Sequence, residues 1–184
     1  SAARMDGIAT YYGNVVSEHA DRHLDLVGVG RLFAMSRRPA LNALACTRYK
    51  NEFGGNNVFT LQTSEEKGVS EKQTIATHFA GPRLFGEEVT NAMLASLLSQ
   101  GAEIRGTPLS EAFDYDSYRE KYGKGLIPLF ALDAKGQLKV FAAGSSFTPE
   151  AGWTVVSLLP PEAVESPEER GEKAAAAGSA ASLS

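Results

Sequence analysis

Hydrophobic and polar positions switch between two periods along the first sixty residues. Residues 7–13 are β-branched and aromatic, with glycine at both ends, and predict a short strand. Residues 14–20 lead into a helix with apolar positions Val15, Val16, Ala20, Leu24 and Leu26. Within 27–36, Val29, Leu32, Phe33, Ala34 and Met35 form a nearly continuous apolar run, the pattern of a strand buried on both faces. Ser36-Arg37-Arg38-Pro39 then opens a helix, with proline in its first turn. Leu41, Leu44, Ala45, Tyr49 and Phe53 recur at helical spacing, and Gly54-Gly55-Asn56 ends the run. Residues 57–62 predict a third strand. Alternating strands and helices imply a parallel sheet with right-handed crossovers. The strands' C-terminal ends would share one edge, where such sheets carry their ligand crevice.

A polar, charged stretch over 64–77 predicts a linker. Beyond it the pattern changes. Residues 79–85 predict a strand, and Gly86-Glu87-Glu88 places acid at the start of a helix. Val89, Met93, Leu94, Leu97 and Leu98 would form that helix's buried face, with Gly101 closing it. Residues 102–109 predict a strand, 110–118 a loop into a short helix ended by Gly123, and 126–132 an apolar strand. Asp133-Ala134-Lys135-Gly136 predicts a hairpin turn into residues 137–142. Residues 153–158 complete a mostly antiparallel α+β block. From 161 onward the periodicity stops. Glu162, Glu165, Glu168, Glu169 and Glu172 precede a run of alanine, glycine and serine, a composition that cannot offset ordering entropy and predicts a disordered tail.

Composition narrows the function classes. At 43% hydrophobic and 22% charged, the 184 residues can build a core. A net charge of -4 gives no basic field for nucleic acid or an anionic membrane surface. No stretch approaches the roughly 18 consecutive apolar residues of a membrane span, and no signal peptide is visible. Cys46 is the single cysteine, so neither an internal disulfide nor a cysteine-based metal site is expected, which suits a reducing compartment. The start, Ser1-Ala2-Ala3-Arg4-Met5, reads as the interior of a longer chain.

Candidate chemistry is sparse. There is neither a dinucleotide-type glycine fingerprint nor a phosphate loop, and Gly28-Val29-Gly30 reads as a turn. Gly13 and Asn14 stand where the first strand hands over to a helix, so backbone N–H groups there could face a ligand. Ser36 and Arg37, with Arg38, hold the equivalent place after the second strand and could hold phosphate. Each has a plainer reading, as a strand–helix turn and a solvated basic loop. His19 and His23 lie four residues apart without a third metal ligand; a solvated helix face is the simpler reading. Ser17-Glu18-His19 lacks a nucleophile elbow and an oxyanion hole. The patch of Asp114, Tyr115, Asp116, Tyr118, Glu120 and Tyr122 lacks calcium-loop order and reads as a solvated helix start. Cys46 and Trp153 read as core residues.

Residues 4–14, Arg4-Met5-Asp6-Gly7-Ile8-Ala9-Thr10-Tyr11-Tyr12-Gly13-Asn14, resemble the middle of an RCK (Trk-type) nucleotide-binding domain of bacterial sodium or potassium:proton antiporters. The likeness continues through Leu41-Asn42-Ala43-Leu44-Ala45 to Asn57-Val58-Phe59-Thr60-Leu61. Leu84-Phe85-Gly86-Glu87, Ile127-Pro128-Leu129-Phe130-Ala131 and Pro149-Glu150-Ala151-Gly152-Trp153-Thr154-Val155 are similar to the domain that follows it in such antiporters, with Trp153 where aspartate is usual.

The resemblance implies a cut piece of α/β class: a partial Rossmann-like parallel sheet (residues 1–63), the linker, a small α+β regulatory domain with antiparallel strands (78–160), and the tail (161–184). It implies a non-enzymatic regulatory region on the cytoplasmic side of the inner membrane. Its partners would be the membrane-embedded transporter domain of the same parent chain and a second copy in a homodimer. Gly13, Asn14, Ser36 and Arg37 are the expected ligand-binding positions. No catalytic residue, metal or cofactor is expected in this piece; an adenine nucleotide, NAD or similar, belongs to the intact parent. Two alternatives stay open: a fragment of a nucleotide-dependent dehydrogenase-like enzyme, and a ligand-free scaffold.

Overall fold

Asn14 and Ser17 start the first helix. Asn14 Oδ1 accepts from Val16 N–H at 3.1 Å in the turn before it, and Ser17 Oγ accepts from Ala20 N–H at 3.2 Å, filling a donor that a helix start leaves open. The helix, α1, covers Glu18–His23. The computed structural model describes residues 5–23, 26–64, 81–123 and 125–164, which fall into two compact units dividing between Arg83 and Leu84.

In the first unit, strand β1 (Leu32–Ala34), helix α2 (Pro39–Phe53) and strand β2 (Val58–Thr60) make one strand–helix–strand crossover. The strands pair in parallel, Leu32 with Val58 and Ala34 with Thr60. Pro39 sits in the first turn of α2, and Gly54 stops the helix at φ 80°. A single-turn 3-10 helix, Gly55–Asn57, leads into β2. Ala34, Cys46 and Val58 form the core of the crossover, with Leu32 and Phe53 packed against it.

Residues 81–83 run along the other side of β2. Thr60 N–H donates to Pro82 O at 3.1 Å, and Thr60 bridges Arg83 in parallel sense. Glycine is required there: a Cβ on Gly81 would collide with the carbonyl of Val58.

The expected sheet of three full strands is not built. Residues 7–13 are turn and open chain rather than a strand, with Tyr12 fully exposed and Ile8 at 59%. Strand composition favours a half-buried pleated surface, and this largely exposed run does not lie on one. The strand expected over 27–36 shrinks to three residues, because Gly28 at φ 80° and a turn from Val29 N–H to Leu26 O occupy its first part. Leu32 and Phe33 are half-buried rather than enclosed on both faces. Leu24, residues 65–80 and residues 165–184 lie outside the described residues, and with them most of the expected linker and tail.

The second unit holds helix α3 (Asn91–Ser99), strand β3 (Glu103–Pro108), helix α4 (Tyr115–Tyr122), strands β4 (Ile127–Leu132), β5 (Leu138–Val140) and β6 (Thr154–Leu159), and a short helix α5 (Pro161–Val164). The sheet is antiparallel in the order β3-β6-β4-β5. The expected hairpin turn is present. Asp133 Oδ1 accepts from Lys135 and Gln137 N–H groups, and Gly136 takes φ 76°. Pro128 occupies a central strand because the register slips beside it, between Pro128 and Phe130. Leu109, Tyr118 and Val155 make the core between α4 and the sheet.

Three expectations change in this unit. Helix α3 starts at Asn91, capped by the Thr90 hydroxyl accepting from Met93 N–H at 3.1 Å, so Glu87 and Glu88 lie in the preceding turn. Its face is not buried: Val89 precedes the helix, Met93 and Leu98 are exposed, and Leu94 and Leu97 are half-buried. Residues 161–164, placed in the tail by composition, form α5. No helix among the described residues is long and apolar enough to cross a membrane.

Candidate functional site

Of the positions singled out in the first unit, Asn14 and Ser36 are engaged in local structure. Gly13 and Asn14 are exposed, and Asn14 spends its side chain on the turn into α1. Ser36 is locked to the buried Asn42: its N–H donates to Asn42 Oδ1 at 3.0 Å and its carbonyl accepts from Asn42 Nδ2 at 2.9 Å. Ser36 Oγ accepts from Arg38 N–H at 3.1 Å. Arg37 is exposed beside this lock. The two pairs are not brought together. Tyr49, near the C-terminal end of α2, donates to Val15 O at 2.7 Å, whereas Ser36 precedes the helix's N-terminus, about 15 Å of helix rise away.

The remaining sequence candidates resolve simply. His19 and His23 stack at 3.9 Å on the exposed helix α1, where His23 Nδ1 donates to His19 O. Among the described residues, no group of three or more histidine, cysteine or acidic side chains is arranged to hold a metal. Cys46 is buried, and burial pushes its thiol above the ordinary value, so it is held as an unreactive thiol. Trp153 is half-buried and stacks on Phe147.

The acidic tyrosine segment proves to be two-faced. Asp114 caps α4, accepting from Ser117 N–H at 2.8 Å, and that bond holds its carboxyl below the ordinary value. Tyr118 points the other way and is fully buried. Its hydroxyl approaches Ser157 and Thr107 without good hydrogen-bond geometry to either, and Ser157 Oγ is likewise buried and unpaired. Burial raises the Tyr118 phenol above its ordinary value.

One turn of α4 carries the chemistry that the sequence pattern did not expose. Tyr115 and Arg119, four residues apart on one face, line a cleft of about 250 Å³ in the second unit. The apolar walls are Phe85, Leu126, Pro128 and Phe141. Tyr115 and Phe141 lie nearly parallel, 16° apart at 6.2 Å. Burial raises the Tyr115 phenol, with Arg119 opposing the rise, so the hydroxyl stays protonated at neutral pH.

Phe85 is the most unusual residue of the cleft. It takes φ 65°, a left-handed conformation that costs a non-glycine residue about 1–3 kcal/mol. Its surroundings hold it there. Phe85 N–H donates to Phe141 O at 2.7 Å, its ring meets Phe130 edge-on at 5.7 Å, and the preceding Leu84 is fully buried and bridged to Ala142. Ser145, at the cleft's rim, gives its hydroxyl to the carbonyl of Ala142. Small-molecule sites join apolar walls to a few convergent polar groups. Here those groups are a cation and a neutral phenol, suited to holding an anion.

The local signals for this cleft were the Tyr115/Arg119 spacing and the Phe85-Gly86 pair. Neither shows that Phe141, the residue just after β5, arrives from more than twenty residues downstream. Neither a protein-family model, nor a curated protein, nor a solved structure matches the chain.

Proposed function

We propose that the chain is the regulatory end of a bacterial monovalent cation:proton antiporter and acts on exchange by binding a small ligand, not by catalysis. The observation that carries this reading is the cleft of the second unit, whose Arg119 and Tyr115 suit binding of an anion. A ligand that prefers one of two arrangements of this region would shift the transporter between states by its differential affinity.

The parallel pair of β1 and β2 with α2 supports reading the first unit as the rear half of a Rossmann-like nucleotide domain. On this reading the phosphate-binding front half, and any adenine nucleotide, belong to the parent protein. On this reading β1, an end strand of the described two-stranded sheet, would join that front half or a second copy of the chain. The region would lie on the cytoplasmic side of the inner membrane, attached to the membrane-embedded part of its own parent.

Cation-driven proton movement in everted vesicles tests the proposal. The parent antiporter and a form ending before residue 84 are compared at equal abundance. The expected result is a shifted pH or cation dependence on truncation. Identical profiles would remove the regulatory reading.

A further inference from the structure

We propose that the cleft of the second unit takes a small monocarboxylate with a flat apolar body, of the benzoate type. The inference rests on the reading of this cleft as the regulatory ligand seat and adds the ligand's chemical class.

Charge comes first. Arg119 is exposed on α4 at the cleft and makes no salt bridge among the described residues. A guanidinium fork matches a carboxylate with two parallel hydrogen bonds. It is the one cation lining the cleft among the described residues. Lys121, two residues on, lies over the rings of Phe113 and Tyr122 at 5.4 Å instead. Asp114 caps α4, and Asp116 and Glu120 lie on it next to Tyr115 and Arg119, so a second negative charge on the ligand meets an acidic field. A monoanion therefore fits better than a phosphate dianion.

Shape comes second. The near-parallel rings of Tyr115 and Phe141 offer flat faces, and Phe85, Leu126 and Pro128 close the apolar side. The Tyr115 hydroxyl stands four residues before Arg119 and can donate a second hydrogen bond to the same carboxylate. A volume of about 250 Å³ falls just under the common ligand-pocket range of roughly 300–1,000 Å³, which admits one ring and its acid but not a dinucleotide. Phe85 is held in a strained conformation at this wall, and such strain clusters at ligand sites.

The test is calorimetric titration of the full 184-residue chain with benzoate, benzyl alcohol and phenyl phosphate. Saturable benzoate binding is expected at or below about 1 mM. Arg119→Gln should weaken it at least about tenfold, with Arg119→Lys between the two. Because Arg119 is exposed, both variants should keep the wild-type unfolding midpoint. Benzyl alcohol and phenyl phosphate should each bind at least about tenfold more weakly than benzoate. No benzoate binding up to about 10 mM, equal binding by Arg119→Gln, or a control binding as tightly as benzoate would each overturn the proposal. The vesicle comparison separates the two ideas. Loss of regulation on truncation without benzoate binding sinks the ligand class alone. Benzoate binding with unchanged transport keeps the ligand class and sinks the regulatory reading.

Discussion

The two units answer the same physical problem differently. The first relies on parallel strands, which need a crossover for each pairing. It keeps two three-residue strands, a single crossover and a run of exposed apolar residues before them. The second relies on antiparallel strands; its β4–β5 pair is closed by a tight turn, and β6 lies centrally beside β3 and β4. Its core knits α4 to the sheet through Leu109, Tyr118 and Val155. The candidate cleft sits in the unit whose walls are cross-braced. A ligand site needs side chains held by packing, and two parallel strands of three residues each hold few.

Breaking the braced unit should cost most. Tyr118→Ala removes a fully buried ring from the centre of the second unit and should destabilise it by about 3–5 kcal/mol. Chemical denaturation followed by Trp153 fluorescence reads that loss directly. In the first unit, Gly81→Ala drives a methyl into the Val58 carbonyl and should cost about 1–3 kcal/mol. Its signature is faster amide exchange at Thr60 and Leu61, whose N–H groups bond to Pro82 O and Ala34 O.

Caps give smaller effects. Thr90→Ala takes the side-chain cap from α3 and should cost about 1 kcal/mol in thermal unfolding. Asp114 adds a pH dependence of known sign. Its carboxyl is held below the ordinary value in the folded state, so its stabilising effect is present above about pH 4 and is lost as pH falls through the lowered value. The stability difference between wild type and Asp114→Ala should therefore shrink on acidification. Tyr115 and Tyr118 act at the other end: both are raised by burial, so the stability they contribute holds up to about pH 10 and declines as pH rises through the raised values.

The smallest effect has the opposite sign. Ser157 buries a hydroxyl without a partner, beside another in Tyr118. Ser157→Ala should be neutral or stabilising by up to about 1 kcal/mol. A clear loss of stability would mean that the two hydroxyls share a hydrogen bond or a buried water.

Legibility in the sequence followed the range of the signals. Pro39 and Gly54 bracketed α2 because both act within a turn of themselves. Asp133 and Gly136 marked the hairpin for the same reason, and Gly123 the end of α4. Strand character in residues 7–13 was misleading. Their composition suits a pleated, half-buried surface, and the described residues give them none. Helix α3 was misjudged similarly: its apolar spacing is real, yet the element turns Met93 and Leu98 to solvent. The cleft was hardest to see. Tyr115 was visible in an acidic patch, but its pairing with Phe141 and the left-handed Phe85 depend on tertiary contacts.

Backbone amide shift mapping of the chain, titrated with benzoate and separately with NAD, tests most directly where a ligand sits. Benzoate-dependent shifts centred on Tyr115, Arg119 and Phe141 are expected, with little response to NAD at Asn14 or Ser36. Shifts centred on Asn14, Ser36 and Arg37 with NAD, and none at Arg119 with benzoate, would contradict that expectation.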